Sequence, residues 1–458
     1  MFVKLILYWM VFSYSIVSYG QFGPRQVVDD DASTAAWVFA ADLDGDGHDD
    51  ILSASSGDDT IAWYKNEDGF GNFGVQQTIA NFDQVDFVHA ADLDGDDDLD
   101  VIASSFALDF IFWYENLDGL GTFGLGQTVS NAVDLPKEVL AADLDGDDDL
   151  DLVSVSRDDN KLAWYENLDG LGDFGPQIVL STDVLSAVSI DLVDIDGDLD
   201  TDILVTAGSD RKIYWFENLD GLGTFNSGNI VIDDPSAGFF ISVMGVDIDG
   251  DDDIDVISAE FSGNRVAWYE NLDGAGNFGP QQEIDLTLNL PSIAYAFDVD
   301  GDNDMDVLSQ SSPDMKIVWY ENLDGAGNFG PQQIVSTEAN GPRSLYATDF
   351  DQDTDLDLSV ASNADGTIGW FENLTLLDIE ENGIPQFRLY PNPVIDYLSI
   401  NTLDIYIDKV EIYDISGRLF KTVSEEFNQI DLREFNKGIF IIRIYSQSSI
   451  NSVKVIKK

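Results

Sequence analysis

The pattern D-x-D-x-D occurs seven times in this chain, with its first aspartate at Asp42, Asp92, Asp143, Asp194, Asp247, Asp298 and Asp349, 50 to 53 residues apart. Repetition at that period restricts the fold to a propeller, a solenoid or an array, because each unit buries its apolar face only against its neighbours. Every unit unrolls in one order. In the unit that begins at Asp247, DIDGDDDID is followed by VISAEF, RVAWYEN, LDGAGN and FGPQQEI, and a further apolar stretch, SIAYAF, precedes the next acidic run at Asp298. These apolar runs are short, rich in Val, Ile, Trp, Tyr and Phe, and bounded by Gly, Asp and Asn, so they read as four β-strands per unit. Four strands in about 51 residues make one propeller blade.

The strand census closes a ring. Aromatic strands of the WYEN type start at Trp63, Trp113, Trp164, Trp215, Trp268, Trp319 and Trp370, but after the last of them the chain runs into LTLLDIEENGIPQ and no FGPQQ strand follows. The missing strand stands at the other end: QFGPRQVV, residues 21–28, matches FGPQQIV at 329–335 and precedes the first acidic run. A ring uses such an offset to join its first and last blades and remove the open sheet edges; a solenoid does not. The expected fold is all-β, a seven-bladed β-propeller over residues 21–374 closed by the N-terminal strand and followed by a small C-terminal β-sandwich.

The acidic runs need a reason to exist, since two like charges about 4 Å apart at an effective dielectric near 20 repel by roughly 4 kcal/mol. In the second unit Asp92, Asp94, Asp96 and Asp100 fall at positions 1, 3, 5 and 9 of a nine-residue loop, with Gly95 at the turn and a position-7 carbonyl available. Hard oxygen ligands at alternate positions of a tight loop suit calcium, which takes six to eight oxygens with flexible geometry. The same positions hold Asp42, Asp44, Asp46 and Asp50; Asp143, Asp145, Asp147 and Asp151; Asp194, Asp196, Asp198 and Asp202; Asp247, Asp249, Asp251 and Asp255; Asp298, Asp300, Asp302 and Asp306. The seventh set is Asp349, Asp351, Asp353 and Asp357, with Gln352 where the others have glycine, so its turn is expected to be strained and its site the weakest. A solvated acidic turn explains one such loop but not seven at constant spacing. An EF-hand needs a bidentate glutamate at position 12 and flanking helices, and here position 12 lies inside a strand. Up to seven structural calcium ions are therefore expected.

Calcium also answers a question about stability. Residues 1–20, MFVKLILYWMVFSYSIVSYG, carry a lone Lys4, an apolar run and small residues before Gln21, the form of a signal peptide. An exported chain without cysteine has no disulfide framework and needs another stabiliser. No later stretch is apolar enough to span a bilayer as a helix. The formal net charge of -66 would repel phosphate and excludes nucleic acid as a partner, while 44% hydrophobic residues support a packed core.

The combination of D-x-D-G-D-x-x-x-D with F-G-x-x-Q at blade spacing resembles the FG-GAP or VCBS repeats, which also form the blades of the integrin α-subunit propeller, over nearly all of residues 21–374. That resemblance implies that each calcium loop joins the first and second strands of a blade on one rim, and that partners bind on the opposite rim. There the opposite rim would be built from second-to-third strand loops such as SSGDD (55–59) and blade connections such as SNAVDLP (130–136), which diverge between units. The WY and WF pairs, at one fixed place in every blade, are expected to pack between sheets rather than to stack on sugars. Hairpins such as NLDGLGT at Asn116 to Thr122 are first of all turn chemistry, with Asp-Gly and a second Gly supplying positive φ.

From about Phe387 the composition changes: residues 388–458 hold ten Lys and Arg against nine Asp and Glu, whereas residues 21–374 hold ten against 75. A separate domain over 387–458 is expected, after a linker at 375–386. Its runs YLSIN, KVEIYDI, RLFKTV, GIFIIRIYS and SVKVIKK read as strands, with SGR as a turn. YPNPVID (390–396), VEIYDISGRLFKT (410–422), LREFNKGIFIIRI (432–444) and VKVIKK resemble the type A C-terminal sorting domain of the type IX secretion system of Bacteroidetes, although Ile439 and Phe440 stand where that pattern commonly has Val or Met followed by Tyr. The resemblance implies the type IX machinery as a partner through residues 387–458, and a secreted or outer-surface destination. A calcium-binding module for an extracellular protein or glycan is the expected function. The alternative is a polysaccharide lyase or glycosidase with a carboxylate pair in the central channel. Triad chemistry would have to use His48 or His89, and His48 occupies position 7 of an acidic loop.

Overall fold

A computed structural model describes residues 21–233, 236–374, 387–390, 394–402, 407–414, 418–424, 427, 429–446 and 450–458. Residues 1–20, expected as a signal peptide, residues 375–386, expected as a linker, the PNP residues 391–393 and most of the SGR turn lie outside these. No helix occurs among the described residues. The chain divides into two compact units, Met1–Leu376 and Leu377–Lys458.

The first unit consists of seven four-stranded antiparallel sheets, each built from consecutive strands except the last. Blade 2 is representative, with strands Val85–Ala91, Asp100–Ser105, Phe110–Tyr114 and Gln127–Ser130 in sheet order. The first strands of successive blades pack on one another around the axis, including Ala35–Ala41 of blade 1 against Pro342–Thr348 of blade 7. Second strands are buried along their whole length, because each sheet is covered on both faces by its neighbours. This is why they read as continuous apolar and small-residue runs rather than as alternating ones.

The ring closes as the offset in the sequence implied. Gln26–Asp29 forms the outer strand of blade 7 and pairs antiparallel with Thr367–Phe371, Gln26 opposite Trp370 and Val27 opposite Gly369. Phe22 bridges Asn373 and is itself buried, packing in the cluster that contains Trp319. The repeated tryptophans are core residues: Trp63 is 2% exposed, and its indole lies where a Cβ on Gly121 of the next blade would clash at 2.2 Å. Gly121 also takes φ +77, so both its backbone and the space above it require glycine.

The second unit is a β-sandwich. Phe387–Tyr390, Tyr397–Thr402 and Ile430–Asp431 form one sheet, and Leu419–Val423, Ile407–Asp414, Gly438–Ser446 and Ile450–Lys457 form the other. Leu398 and Ile400 from the first sheet share one core with Val410, Ile412, Ile442, Ile444 and Val455 from the second. Phe387–Tyr390 and Ile430–Asp431 were not picked out as strands in the sequence; both are short and neither alternates clearly.

Candidate metal centres and the axial channel

Each acidic run connects the first strand of its blade to the second, so all seven lie on one rim. In blade 2, Asp92 turns back into the loop. Its Oδ1 accepts the N–H of Gly95 at 2.8 Å and of Asp96 at 3.2 Å, and its Oδ2 accepts that of Asp97 at 3.0 Å. Asp96 accepts the Asp98 N–H at 3.0 Å. Asp100, buried at the start of the second strand, accepts the Leu93 N–H at 3.0 Å with one oxygen and the Asn116 N–H at 2.8 Å with the other. Positions 1, 5 and 9 thus organise the backbone. Position 3 is left over.

At position 3 the same atom is stranded in every blade: Oδ1 of Asp44, Asp94, Asp145, Asp196, Asp249, Asp300 and Asp351 is buried without a hydrogen-bond partner. A buried unpaired carboxylate oxygen is costly, and seven in register call for a partner of positive charge. Burial, followed by the charges of Asp96 and Glu115, pushes Asp94 up to about 6. Carboxylate oxygens of Asp42, Asp44 and Asp50, of Asp92, Asp94 and Asp96, of Asp143, Asp145 and Asp147, of Asp194, Asp196 and Asp202, and of Asp247, Asp249 and Asp251 converge within 4.8 Å of one another, and two more such groups occur among the described residues. The donor set is all hard oxygen, and one oxygen of it is uncommitted. These residues fit a calcium-sized dication.

Gln352 takes φ +60, the left-handed conformation that glycine supplies in the other six loops, which bears the expected strain in this turn. Its amide donates to the Gly47 carbonyl at 3.2 Å. The hairpin aspartates share the loop rim, but Asp118 accepts the Leu120 N–H at 3.1 Å and caps its own turn.

Two residues of each WYEN strand belong to the site and were missed in the sequence. The asparagine donates from Nδ2 to the position-2 carbonyl of the preceding blade's loop: Asn116 to Leu43, Asn167 to Leu93 and Asn218 to Leu144 at 2.9 Å, Asn271 to Ile195 at 3.0 Å, Asn322 to Ile248 at 2.9 Å, Asn373 to Val299 at 2.8 Å, and across the seam Asn66 to Phe350 at 2.8 Å. Seven such bonds lace the loops into a ring. The glutamate before it (Glu115, Glu166, Glu217, Glu270, Glu321 and Glu372) adds negative charge beside the stranded position-3 carboxylate. Recurrence of EN in six of seven units was the available signal.

The position-9 carboxylates carry a pH prediction. Burial pushes Asp50 and Asp357 up to about 8 and Asp100, Asp151, Asp202, Asp255 and Asp306 up to about 7, against partial relief from their backbone donors. Between the unfolded value near 4 and these folded values the native metal-free protein binds more protons than the unfolded chain, so its stability rises as pH falls. Protein stripped of metal is expected to melt higher at about pH 5.5 than at about pH 8. A melting temperature lower at about pH 5.5 than at about pH 8 would contradict it.

The first strands enclose a second candidate site, an axial cavity of about 310 Å³ whose walls include Trp37, Phe39, Phe87, His89, Tyr295 and Tyr346. Two half-buried carboxylates also line it. Glu138 accepts the Ile190 N–H at 2.8 Å, and Asp191 accepts the Gly245 N–H at 2.7 Å, so each joins its blade to the next. Burial pushes Glu138 up to about 8 and Asp191 up to about 6, and pulls His89 down to about 4. His48 stays on the loop rim, its ring against Gln352. Away from the acidic loops the cavity continues into a mouth lined by the beginnings of the first strands, where Lys137 and Arg343 grip the buried Asp86 at 2.8 and 2.5 Å and Arg157 stands half-exposed beside them. These are three of the ten basic side chains in residues 21–374.

The comparisons with known proteins agree with this architecture. The model of the FG-GAP-like repeat matches residues 20–103, 143–205, 247–309 and 298–360, and that of a secretion system C-terminal sorting domain matches 388–458. The ulvan lyase NLR42 of Nonlabens ulvanivorans is 26% identical over 141 residues, 30% of this chain and 24% of the relative, so the match spans about a quarter of that enzyme. An Agrocybe aegerita lectin solved for its recognition of non-reducing terminal N-acetylglucosamine superposes with a TM-score of 0.52 at 18% identity, over 75% of this chain and 86% of its own. BBS1N, solved in complex with ARL6DN, gives 0.52 at 13% identity, over 77% and 97%. At these identities the structures share the fold.

Proposed function

The chain belongs to the FG-GAP-like repeat family and is delivered to the cell surface or medium by a type IX C-terminal sorting domain, and from that premise we propose that it is a calcium-stabilised binding module. The observation that carries the calcium reading is the position-3 carboxylate of blades 2 to 7, whose Oδ1 is stranded and which, among the described residues, no basic side chain pairs. Calcium on the loop rim supplies the rigidity that a cysteine-free extracellular chain lacks, and leaves the opposite mouth free for a ligand.

The mouth has the chemistry of a recognition site. In a propeller with 75 acidic residues, three cations converge beside Trp37 and Phe87, which offer faces for stacking. This combination suits a carbohydrate bearing carboxylate or sulfate groups. Immobilised acidic polysaccharides should retain the protein at low salt and release it as salt rises, whereas neutral ones should not. Arg157→Ala, at a half-exposed position whose guanidinium pairs with its neighbour Asp158 at 3.0 Å, should weaken retention several-fold and leave the melting curve unchanged. Equal retention on neutral and acidic matrices, or no effect of the substitution, would refute the mouth as the binding site.

A lyase or glycosidase reading is favoured by one observation, the Glu138 and Asp191 pair in the axial cavity, and by the similarity to a lyase. The hydrogen bonds that tie both carboxylates to backbone N–H groups support a structural role instead. Shortening of a polysaccharide that is abolished in Glu138→Gln would decide for the enzyme.

A further inference from the structure

Around its acidic loop the first blade departs from the other six at Lys65 and His48, which remove negative charge, and at Asp49, which adds one at position 8 where the others have an uncharged residue. Where the others have a glutamate before the bridging asparagine, it has Lys65; where they have aspartate at position 7 (Asp98, Asp149, Asp200, Asp253, Asp304 and Asp355), it has His48. Lys65 reaches into the loop. Its Nζ bonds Asp44 Oδ2 directly and Asp46 Oδ2 at 2.7 Å, with Asp44 only 8% exposed. These are the position-3 and position-5 carboxylates that fit a dication elsewhere. An ammonium and a metal ion on the same two carboxylates repel each other, so either the ion displaces the lysine or the lysine excludes the ion.

We propose that in blade 1 the Lys65 ammonium holds the place that a cation takes in the other six blades, so that this loop is set without metal. The proposal rests on the calcium reading of the other six loops. It has a consequence for the ring. Blade 1 follows directly on Gln26–Asp29, the closing strand of blade 7, and direct protein contacts join the two blades around the acidic loops. Asn66 bonds the Phe350 carbonyl, Gln352 bonds Gly47 and contacts His48 Nδ1 at 2.6 Å, and Thr348 Oγ1 bonds Asp49. Gln352, the odd residue of blade 7, thus faces His48, an odd residue of blade 1. Both of these irregularities fall at the interface of blades 7 and 1, beside the blade that the pairing of Gln26–Asp29 with Thr367–Phe371 closes. The contacts between blades 7 and 1 on this side therefore do not depend on an ion in the blade 1 loop.

Native mass spectrometry of the purified chain in calcium tests this by counting. Wild type should carry six ions and Lys65→Glu, which restores the residue of the other blades, should carry seven. Seven ions on wild type, or the same number on both, would overturn the proposal. No ion on either would refute the calcium reading itself, a different result from either of those. If Lys65→Glu does not fold, amine labelling of wild type decides: Lys65 should acetylate equally slowly with calcium and with chelator, and faster labelling on adding calcium would mean that the ion displaces it.

Discussion

Stripping the protein of calcium should lower its melting temperature by on the order of ten degrees or more. An ion that binds only the folded state stabilises it by RT ln(1 + [L]/Kd), roughly 2.7 kcal/mol for each site at about a hundred times its Kd. Several loops load in parallel. Without the ion, each retains a buried carboxylate oxygen with no partner and a position-9 carboxylate burdened by desolvation. Readdition of calcium should restore the transition, and magnesium should do so less well, because the smaller ion demands near-ideal octahedral geometry. A melting curve indifferent to chelator would mean that the loops are stable acidic turns.

The next largest effect is expected from removing the strand that closes the ring. Deleting residues 21–29 takes away Gln26–Asp29, the backbone bonds from Gly23 to the Glu372 carbonyl at 2.7 Å and from Leu374 to the Gln21 carbonyl at 2.6 Å, and the buried Phe22 ring. Loss of a fully packed phenylalanine side chain alone costs about 3–5 kcal/mol. The deletion also leaves Thr367–Phe371 as an unpaired edge, ready to pair with another molecule. The truncated protein is expected to aggregate or to melt well below the full chain, and identical melting would show that the strand does not carry closure.

Much of this architecture was legible in the sequence because a sevenfold repeat turns weak local signals into a strong common one. The WYEN, FGPQQ and D-x-D-x-D runs each mark one place in a blade, and the displaced QFGPRQVV strand revealed the closure. The tryptophans read correctly as packing, since a residue at the same place in every blade is more simply explained by the neighbour it always meets. Repetition also hid things. The EN pair was absorbed into a strand, although Asn116 reaches a carbonyl 73 residues away and Glu115 stands beside Asp94. Such contacts run between blades, and nothing local in the sequence announces them. The axial mouth was illegible for the opposite reason: Trp37, Asp86, Lys137, Arg157 and Arg343 come from blades 1, 2, 3 and 7 and recur nowhere, so only the closed ring brings them together. Lys65 was readable as the one break in a sixfold run of glutamates. Its meaning came only from the two carboxylates it touches.

The most direct measurement is an anomalous-scattering map from crystals of the propeller grown in calcium. Peaks are expected in the loops of blades 2 to 7, each about 2.3–2.6 Å from the stranded Oδ1 of Asp94, Asp145, Asp196, Asp249, Asp300 or Asp351, with Lys65 in place of a peak in blade 1. Loops that show only water, with those oxygens turned out to solvent, would contradict it.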